Sequence, residues 1–222
     1  MAAESLTDTQ AVVSRLRDAI SRGDLAPNQR LIEQDICTAY NASRATVRAA
    51  LAELATEGLV ERIQNRGARV RSVPVSEAIE ILEVRAALEA MCAAQAAARL
   101  TDGERQMLQS LGEDMRRAIE TGDLYRYSDL NNRLHEAVLD ISRHGTAAAV
   151  IHRLKGQVVR HQFRLNLRSG GPAGSLAEHL EIIDAICGGD ADGAEDAMKR
   201  HLLNVTDALR ERAMEGQAAS NT

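Results

Sequence analysis

The stretch that decides the fold runs NASRATVRAALAELATEGLV over residues 41–60 and ERIQNRGARV over residues 61–70. Ser43 is a residue type that caps helix N-termini, because its hydroxyl can accept a hydrogen bond from the first helical turn. Beyond it, apolar residues recur with the spacing of one helical face, at Val47, Leu51 and Leu54. The pattern predicts a helix over 44–57.

A basic hairpin is predicted directly after this helix. Gly58 is a helix-stop signal. The residues LVERIQNRGARVRSV (59–73) predict two short strands that turn around Asn65, Arg66 and Gly67. The hairpin therefore has a glycine and an arginine at its tip.

Two more helices are predicted upstream, over 9–22 and 33–40, and residues 41–43 form a tight turn before the helix over 44–57. The order is helix, helix, short turn, helix, hairpin. This order predicts a winged helix-turn-helix domain of three helices and a hairpin wing over residues 6–73.

The rest of the chain is predicted to be helical and to follow a linker at 73–76. No strand pattern competes with the helical one, and Gly and Asp residues mark the breaks. The predicted helices cover 76–99, 103–121, 124–142, 146–167, 175–187 and 191–214. The fold class is therefore mostly α, with an all-α antiparallel bundle of six to seven helices over 76–214.

Composition narrows the function classes. The net charge is −5, yet residues 44–71 hold six Arg against three Glu, which fits an acidic body that docks one edge onto phosphate. The three cysteines are far apart and form no CxxC pair, which favours a reducing, cytoplasmic location. No signal peptide is expected, because the first ten residues have no basic flank and no apolar core, and no apolar run reaches the length that a membrane helix needs.

The helix over 44–57 and the hairpin carry the residue types that contact duplex DNA. Arginine can fork onto guanine or phosphate, and a capped helix N-terminus favours phosphate. An isolated pair of arginines would more simply be a solvated helix face, but the adjoining basic hairpin favours DNA binding. The candidate DNA-binding residues are Ser43, Arg44, Thr46 and Arg48 in the helix and Asn65, Arg66 and Gly67 in the wing.

This half of the chain resembles the GntR family of bacterial regulators. The resemblance rests on Leu31-Ile32-Glu33, residues 41–51, Leu54, residues 57–60 and residues 65–68. It implies a winged helix-turn-helix that binds an operator, with the same seven residues as contacts. One small wing reads a half-site too weakly for specificity, so a homodimer on a palindromic operator is expected.

Histidines mark a candidate site in the second half. Asn131 and His135 lie four apart on one predicted helix, and His179 and His201 lie among apolar residues on the last two helices. Imidazoles from three helices that converge inside a bundle suit a divalent metal. The alternative for each is a hydrogen-bonded core histidine.

The second half resembles the FCD ligand-binding domain of FadR-type regulators, through residues 83–89, 130–135, 178–186 and 189–202. In many members, an Asp or Asn four residues before a His binds a divalent metal together with that His and two later ones. The resemblance implies that Asn131, His135, His179 and His201 bind a metal, with zinc, nickel and manganese all open. Arg85 matches a position that often holds the effector's carboxylate, the alternative being a salt bridge to a Glu.

The sequence thus predicts a transcription regulator, with repression as the expected sign, controlled by a small organic acid bound on a metal. One alternative is a regulator that senses the metal alone. A three-histidine site could also activate water in a hydrolase, but no general base is paired with it. An enzyme is therefore not expected.

Overall fold

The computed structural model describes residues 7–63, 67–166 and 171–220, except for the side chains of 21–22, 159–166, 171–173, 212–213 and 215–220. The chain divides into two compact units. One comprises Met1–Pro74 with Arg153–Arg160, and the other comprises Val75–His152 with His161–Thr222.

The first unit contains three helices and a small sheet, as the sequence predicts. The helices are α1 (Thr9–Arg22), α2 (Glu33–Tyr40) and α3 (Arg44–Thr56), and the strands are β1 (Arg30–Leu31), β2 (Val60–Ile63) and β3 (Gly67–Val70). This is the architecture of a winged helix-turn-helix, and the predicted fold class is confirmed.

Local chemistry explains where these helices begin and end. The Asp8 carboxylate accepts a hydrogen bond from the Ala11 amide at 2.7 Å, and the Ser43 hydroxyl accepts one from the Thr46 amide at 3.1 Å. Gly23 ends α1 in the left-handed conformation, with φ at 88°. The apolar faces of the helices then form one core that includes Val12, Leu16, Val47, Leu51 and Leu54.

The sheet has one strand that the sequence analysis did not predict. Its order is β1-β3-β2 with antiparallel pairing, so the short strand β1 lies beside β3. Gly67 opens β3 with φ at +87°, and a Cβ there would lie 2.5 Å from the carbonyl oxygen of Leu31. Only glycine satisfies both conditions, since it lacks the Cβ.

The described part of the second unit is built from helices alone. They are α4 (Val75–Arg99), α5 (Asp102–Glu120), α6 (Leu124–Ser142), α7 (Gly145–Asn166), α8 (Gly171–Gly188) and α9 (Ala191–Ser220), except that Arg153–Arg160 of α7 belong to the first unit. The predicted bundle is therefore confirmed. The prediction that the last helix ends near residue 214 is wrong, because α9 passes through Gly216, and a glycine weakens a helix by about 1 kcal/mol without ending it.

Helix α4 packs against α6, α8 and α9, which places one of its faces inside the unit. The core is rich in small residues, with Ala86, Ala93 and Ala96 all buried, so neighbouring helices can approach closely. At the start of α5, Thr101 and Glu104 form a reciprocal capping box. Among the described residues, no helix combines the length and the apolar character that crossing a membrane requires.

Candidate metal centre and DNA-binding surface

Three histidines from three helices meet inside the second unit. His135 on α6, His179 on α8 and His201 on α9 are all buried, with exposed fractions of 6%, 1% and 4%. Each offers a nitrogen, and these nitrogens lie within 4.8 Å of one another. The structure thus brings together three of the four residues implied as metal ligands in a cluster compact enough for a single ion.

Two of the imidazoles are oriented by carboxylates. His135 Nδ1 is hydrogen-bonded to Oε2 of Glu89 at 2.7 Å, and His201 Nδ1 to Oε2 of Glu178 at 2.7 Å. When Nδ1 donates to a carboxylate, Nε2 keeps its lone pair for a metal. In that tautomer, Nε2 would be the atom through which His135 and His201 could bind a metal.

The third imidazole is oriented by a tyrosine. A hydrogen bond of 2.9 Å joins the buried Tyr127 hydroxyl to Nδ1 of His179. Its Nε2 atom is buried and has no hydrogen-bond partner among the described residues. Burial, together with the nearby His201 and His135, holds the pKa of His179 well below its ordinary value, so the ring is neutral as a metal ligand must be.

Arg85 and Glu89 form a buried ion pair next to this cluster. Oε1 of Glu89 accepts from Nε of Arg85 at 2.8 Å and lies 2.7 Å from its Nη2, and both side chains are only 1% exposed. Burial alone would raise the pKa of Glu89, but Arg85 and His135 outweigh it and hold that pKa far below its ordinary value. A chain of charged hydrogen bonds thus runs from Arg85 through Glu89 to His135.

Arg85 also has a group left over for another partner. Its Nη1 is buried and has no hydrogen-bond partner in the described part of the chain. From the sequence, Arg85 could either bind an effector carboxylate or form a salt bridge. The structure places it in the salt bridge and leaves one donor unused, which is unusual for a buried guanidinium.

Asn131 lies one helical turn before His135 on α6. Its Oδ1 is buried and unpaired within the described residues. A buried acceptor without a partner costs free energy that an added ligand could recover. Imidazole nitrogens and an amide oxygen are donor types that zinc, nickel or manganese accepts, so the three clustered histidines, with Asn131 one turn from His135, fit a divalent metal.

The candidate DNA-binding residues of α3 are grouped at its N-terminus. Arg44 and Arg48 are exposed, while Ser43 and Thr46 are half-buried and share a hydrogen bond of 2.8 Å between their hydroxyls. Two basic side chains one turn apart thus reach away from the core. Asn65 and Arg66 lie outside the described residues, and Gly67 has the backbone role described above.

The residues that orient the imidazoles are not among those predicted from the sequence, although α6 carries a usable signal. Tyr127, Asn131 and His135 recur every four residues and so lie along one helical face. A polar line of this kind on an otherwise apolar helix indicates a buried site. Glu89 and Glu178 carried no comparable signal, because each meets its histidine on another helix.

Two family models match the chain. That of the bacterial regulatory proteins of the gntR family matches residues 8–70, and that of the FCD domain matches residues 80–204. The chain is 28% identical to the HTH-type transcriptional repressor RspR of Escherichia coli, covering 91% of this chain and 89% of RspR. It is also 28% identical to the HTH-type transcriptional regulator LutR of Bacillus subtilis, covering 86% and 95%.

The fold is also that of a solved regulator. McbR/YncC of E. coli superimposes with a TM-score of 0.80 at 22% identity, covering 94% of this chain and 100% of McbR/YncC. At that identity the likeness concerns the fold alone. The family and the curated relatives are transcription regulators rather than enzymes. The chain belongs to the GntR family of DNA-binding transcription regulators, in the branch that carries a C-terminal FCD domain.

Proposed function

We propose that this regulator works as a homodimer whose affinity for a palindromic operator is controlled by a small organic acid bound on a divalent metal. Residues 6–73 would be the DNA-binding domain, and residues 76–214 the effector-binding and dimerisation domain. The observation that carries the proposal is the buried cluster of His135, His179 and His201.

Support for the metal comes from how the histidines are held. All three Nδ1 atoms have partners at 2.7–2.9 Å, one nitrogen of each ring lies within 4.8 Å of the others, and the buried Nε2 atom of His179 has no hydrogen-bond partner among the described residues. Core histidines that served packing alone would not need to turn three ring nitrogens toward a common centre. The ion would lie among these nitrogens and Oδ1 of Asn131, and it would supply a Lewis acid that attracts an anionic ligand.

Support for an organic acid comes from charge. The four proposed ligands are all neutral, so a divalent ion would keep most of its charge and would favour an anion in its open positions. The unpaired Nη1 donor of Arg85 is connected to the cluster through Glu89. A carboxylate that reached both the ion and this donor would satisfy both.

A dimer is proposed because one winged domain cannot reach operator affinity and specificity by itself. Two recognition helices on adjacent half-sites, about one helical turn of DNA apart, double the contacts. Effector binding would change the placement of the two winged domains. It can do so only if the acid binds the two arrangements with different affinity.

The test is operator binding under controlled metal and effector. A duplex selected by the protein from a randomised library serves as the probe, and fluorescence anisotropy reports its affinity. Metal-free protein is titrated with Zn²⁺, Ni²⁺ or Mn²⁺, first alone and then with a panel of sugar acids and dicarboxylates. We expect the metal alone to change operator affinity little, and one class of acid to change it at least tenfold in the metal-loaded protein only.

The variant His179→Ala removes one ligand, and His152→Ala is the matched control because His152 is half-exposed and pairs with Glu136. Binding of Zn²⁺, measured by competition with a chromophoric chelator, should weaken in the first variant and remain in the second. A full response to the metal alone would support the metal-sensing alternative. Wild-type protein that binds no divalent ion would overturn the proposal.

A further inference from the structure

Two side chains in the first turn of α2 contact the two arginines at the start of α3. Oε2 of Glu33 accepts a hydrogen bond from Nε of Arg48 at 2.8 Å. Oε1 of Gln34 accepts one from Nη2 of Arg44 at 2.9 Å. Two consecutive residues of α2 thus hold two arginines that lie one turn apart on α3, the helix proposed to enter the major groove.

These contacts have little to do with stability. The Arg48 side chain is 64% exposed, and an ion pair on the surface contributes little to folding because water screens it. Glu33 is better shielded, with 25% of its side chain exposed. A shielded carboxylate that holds an exposed guanidinium fixes where the guanidinium points.

The hydrogen bond to Glu33 uses Nε of Arg48, which leaves the two Nη atoms free of that carboxylate. Guanidinium can offer two donors side by side either through Nε with one Nη or through Nη1 with Nη2. Because Glu33 occupies Nε, the edge formed by Nη1 and Nη2 remains for a partner. This edge matches the O6 and N7 acceptors of guanine in the major groove.

We propose that Glu33 is a positioning residue for operator recognition: it orients Arg48 so that the outer edge of the guanidinium forks onto a guanine. Its negative charge also makes Arg48 a poorer partner for phosphates of arbitrary sequence. Glu33 therefore raises the ratio of specific to non-specific binding. Gln34 orients Arg44 in the same manner without adding charge. The proposal does not depend on the metal or the effector.

Glu33→Ala tests this, because alanine removes both the charge and the acceptor of the hydrogen bond from Arg48. Affinity is measured by anisotropy for the library-selected duplex and for a duplex of the same length and scrambled sequence. We expect affinity for the selected duplex to fall about tenfold and affinity for the scrambled duplex to stay equal or rise. The matched control is Asp35→Ala, which removes an exposed carboxylate from the same turn of α2 and should shift both affinities alike.

A double-mutant cycle with Arg48→Ala separates positioning from other roles. In the Arg48→Ala background, Glu33→Ala should cause no further loss on the selected duplex, because the residue through which Glu33 acts is gone. Thermal melting confirms that each variant is folded. The proposal is overturned if Glu33→Ala behaves like Asp35→Ala on both duplexes, or if its effect on the selected duplex persists without Arg48.

Discussion

Replacing Glu89 by glutamine should damage both the folding of the second unit and its metal site. The carboxylate accepts from Arg85 at 2.8 Å and is bonded to Nδ1 of His135 at 2.7 Å, and it is only 1% exposed. Without it, Arg85 becomes a buried cation with no opposite charge. Removal of one partner of a buried pair costs about 3–5 kcal/mol. We expect about 3 kcal/mol here, because the amide oxygen still accepts one hydrogen bond.

The effect on the metal is separate from the effect on stability. A carboxylate at Nδ1 makes an imidazole a better ligand and fixes its orientation, and losing such a partner lowers metal affinity about 10–100-fold. Urea unfolding of metal-free protein measures the first effect. Competition for Zn²⁺ with a chromophoric chelator measures the effect on metal affinity. This measurement uses buffer without urea, at a temperature at which the variant is folded.

The double variant Arg85→Met/Glu89→Gln distinguishes the two effects. It removes the stranded cation and fills its volume with an apolar side chain, so most of the lost stability should return. Zn²⁺ affinity should stay low, because His135 still lacks a carboxylate. Stability of the single variant within about 1 kcal/mol of wild type, or Zn²⁺ affinity that recovers in the double variant, would refute this reasoning.

Three further predictions concern the scaffold. Ser43→Ala should lower the free energy of unfolding by about 1 kcal/mol in urea titrations, because α3 loses its N-cap, whereas Ser43→Asn should not. Gly67→Ala should lower the free energy of unfolding by roughly 1–3 kcal/mol, measured in thermal melts, because the position has a positive φ and its Cβ would meet the Leu31 carbonyl. Gly103→Ala is the control, because a Cβ there would enter open space. Hydrogen bonds from the backbone and side chain of Thr101 lower the pKa of Glu104. Glu104 therefore contributes stability at pH values above the ordinary glutamate pKa, and this contribution is lost as the pH falls through the lowered pKa of the folded protein. In urea titrations, Glu104→Gln should be less stable than wild type at pH 7, and the difference should disappear in acid.

Helix positions could be predicted because their causes are local. Ser43 caps α3 through an amide three residues away, and apolar spacing alone identifies the face that Val47 and Leu51 bury. Strand β1 could not be predicted in the same way. It has two residues, and its partner β3 lies more than thirty residues further along the chain, so no local pattern indicates the pairing.

In the candidate site, too, features with a local cause could be predicted, and contacts between distant helices could not. The spacing of Asn131 and His135 is a property of one helix, and the family resemblance supplied His179 and His201. The bonds from Glu89 and Glu178 depend on the rotation of α4 about its axis against α6, and of α8 against α9. Sequence periodicity indicates which face is buried but not which residues meet across it.

The position of the negative charges bears on what the site can bind. In the proposed site, Asn131 would supply a neutral oxygen where a carboxylate would place an anion directly on the ion. Among the described residues, Glu89 and Glu178 are the carboxylates bonded to the imidazoles, and Arg85 offsets the charge of Glu89 at 2.7 Å. A divalent ion held here would keep excess positive charge at its open positions. This arrangement favours an effector that brings its own carboxylate, and it predicts that Asn131→Asp tightens metal binding while weakening that of the acid.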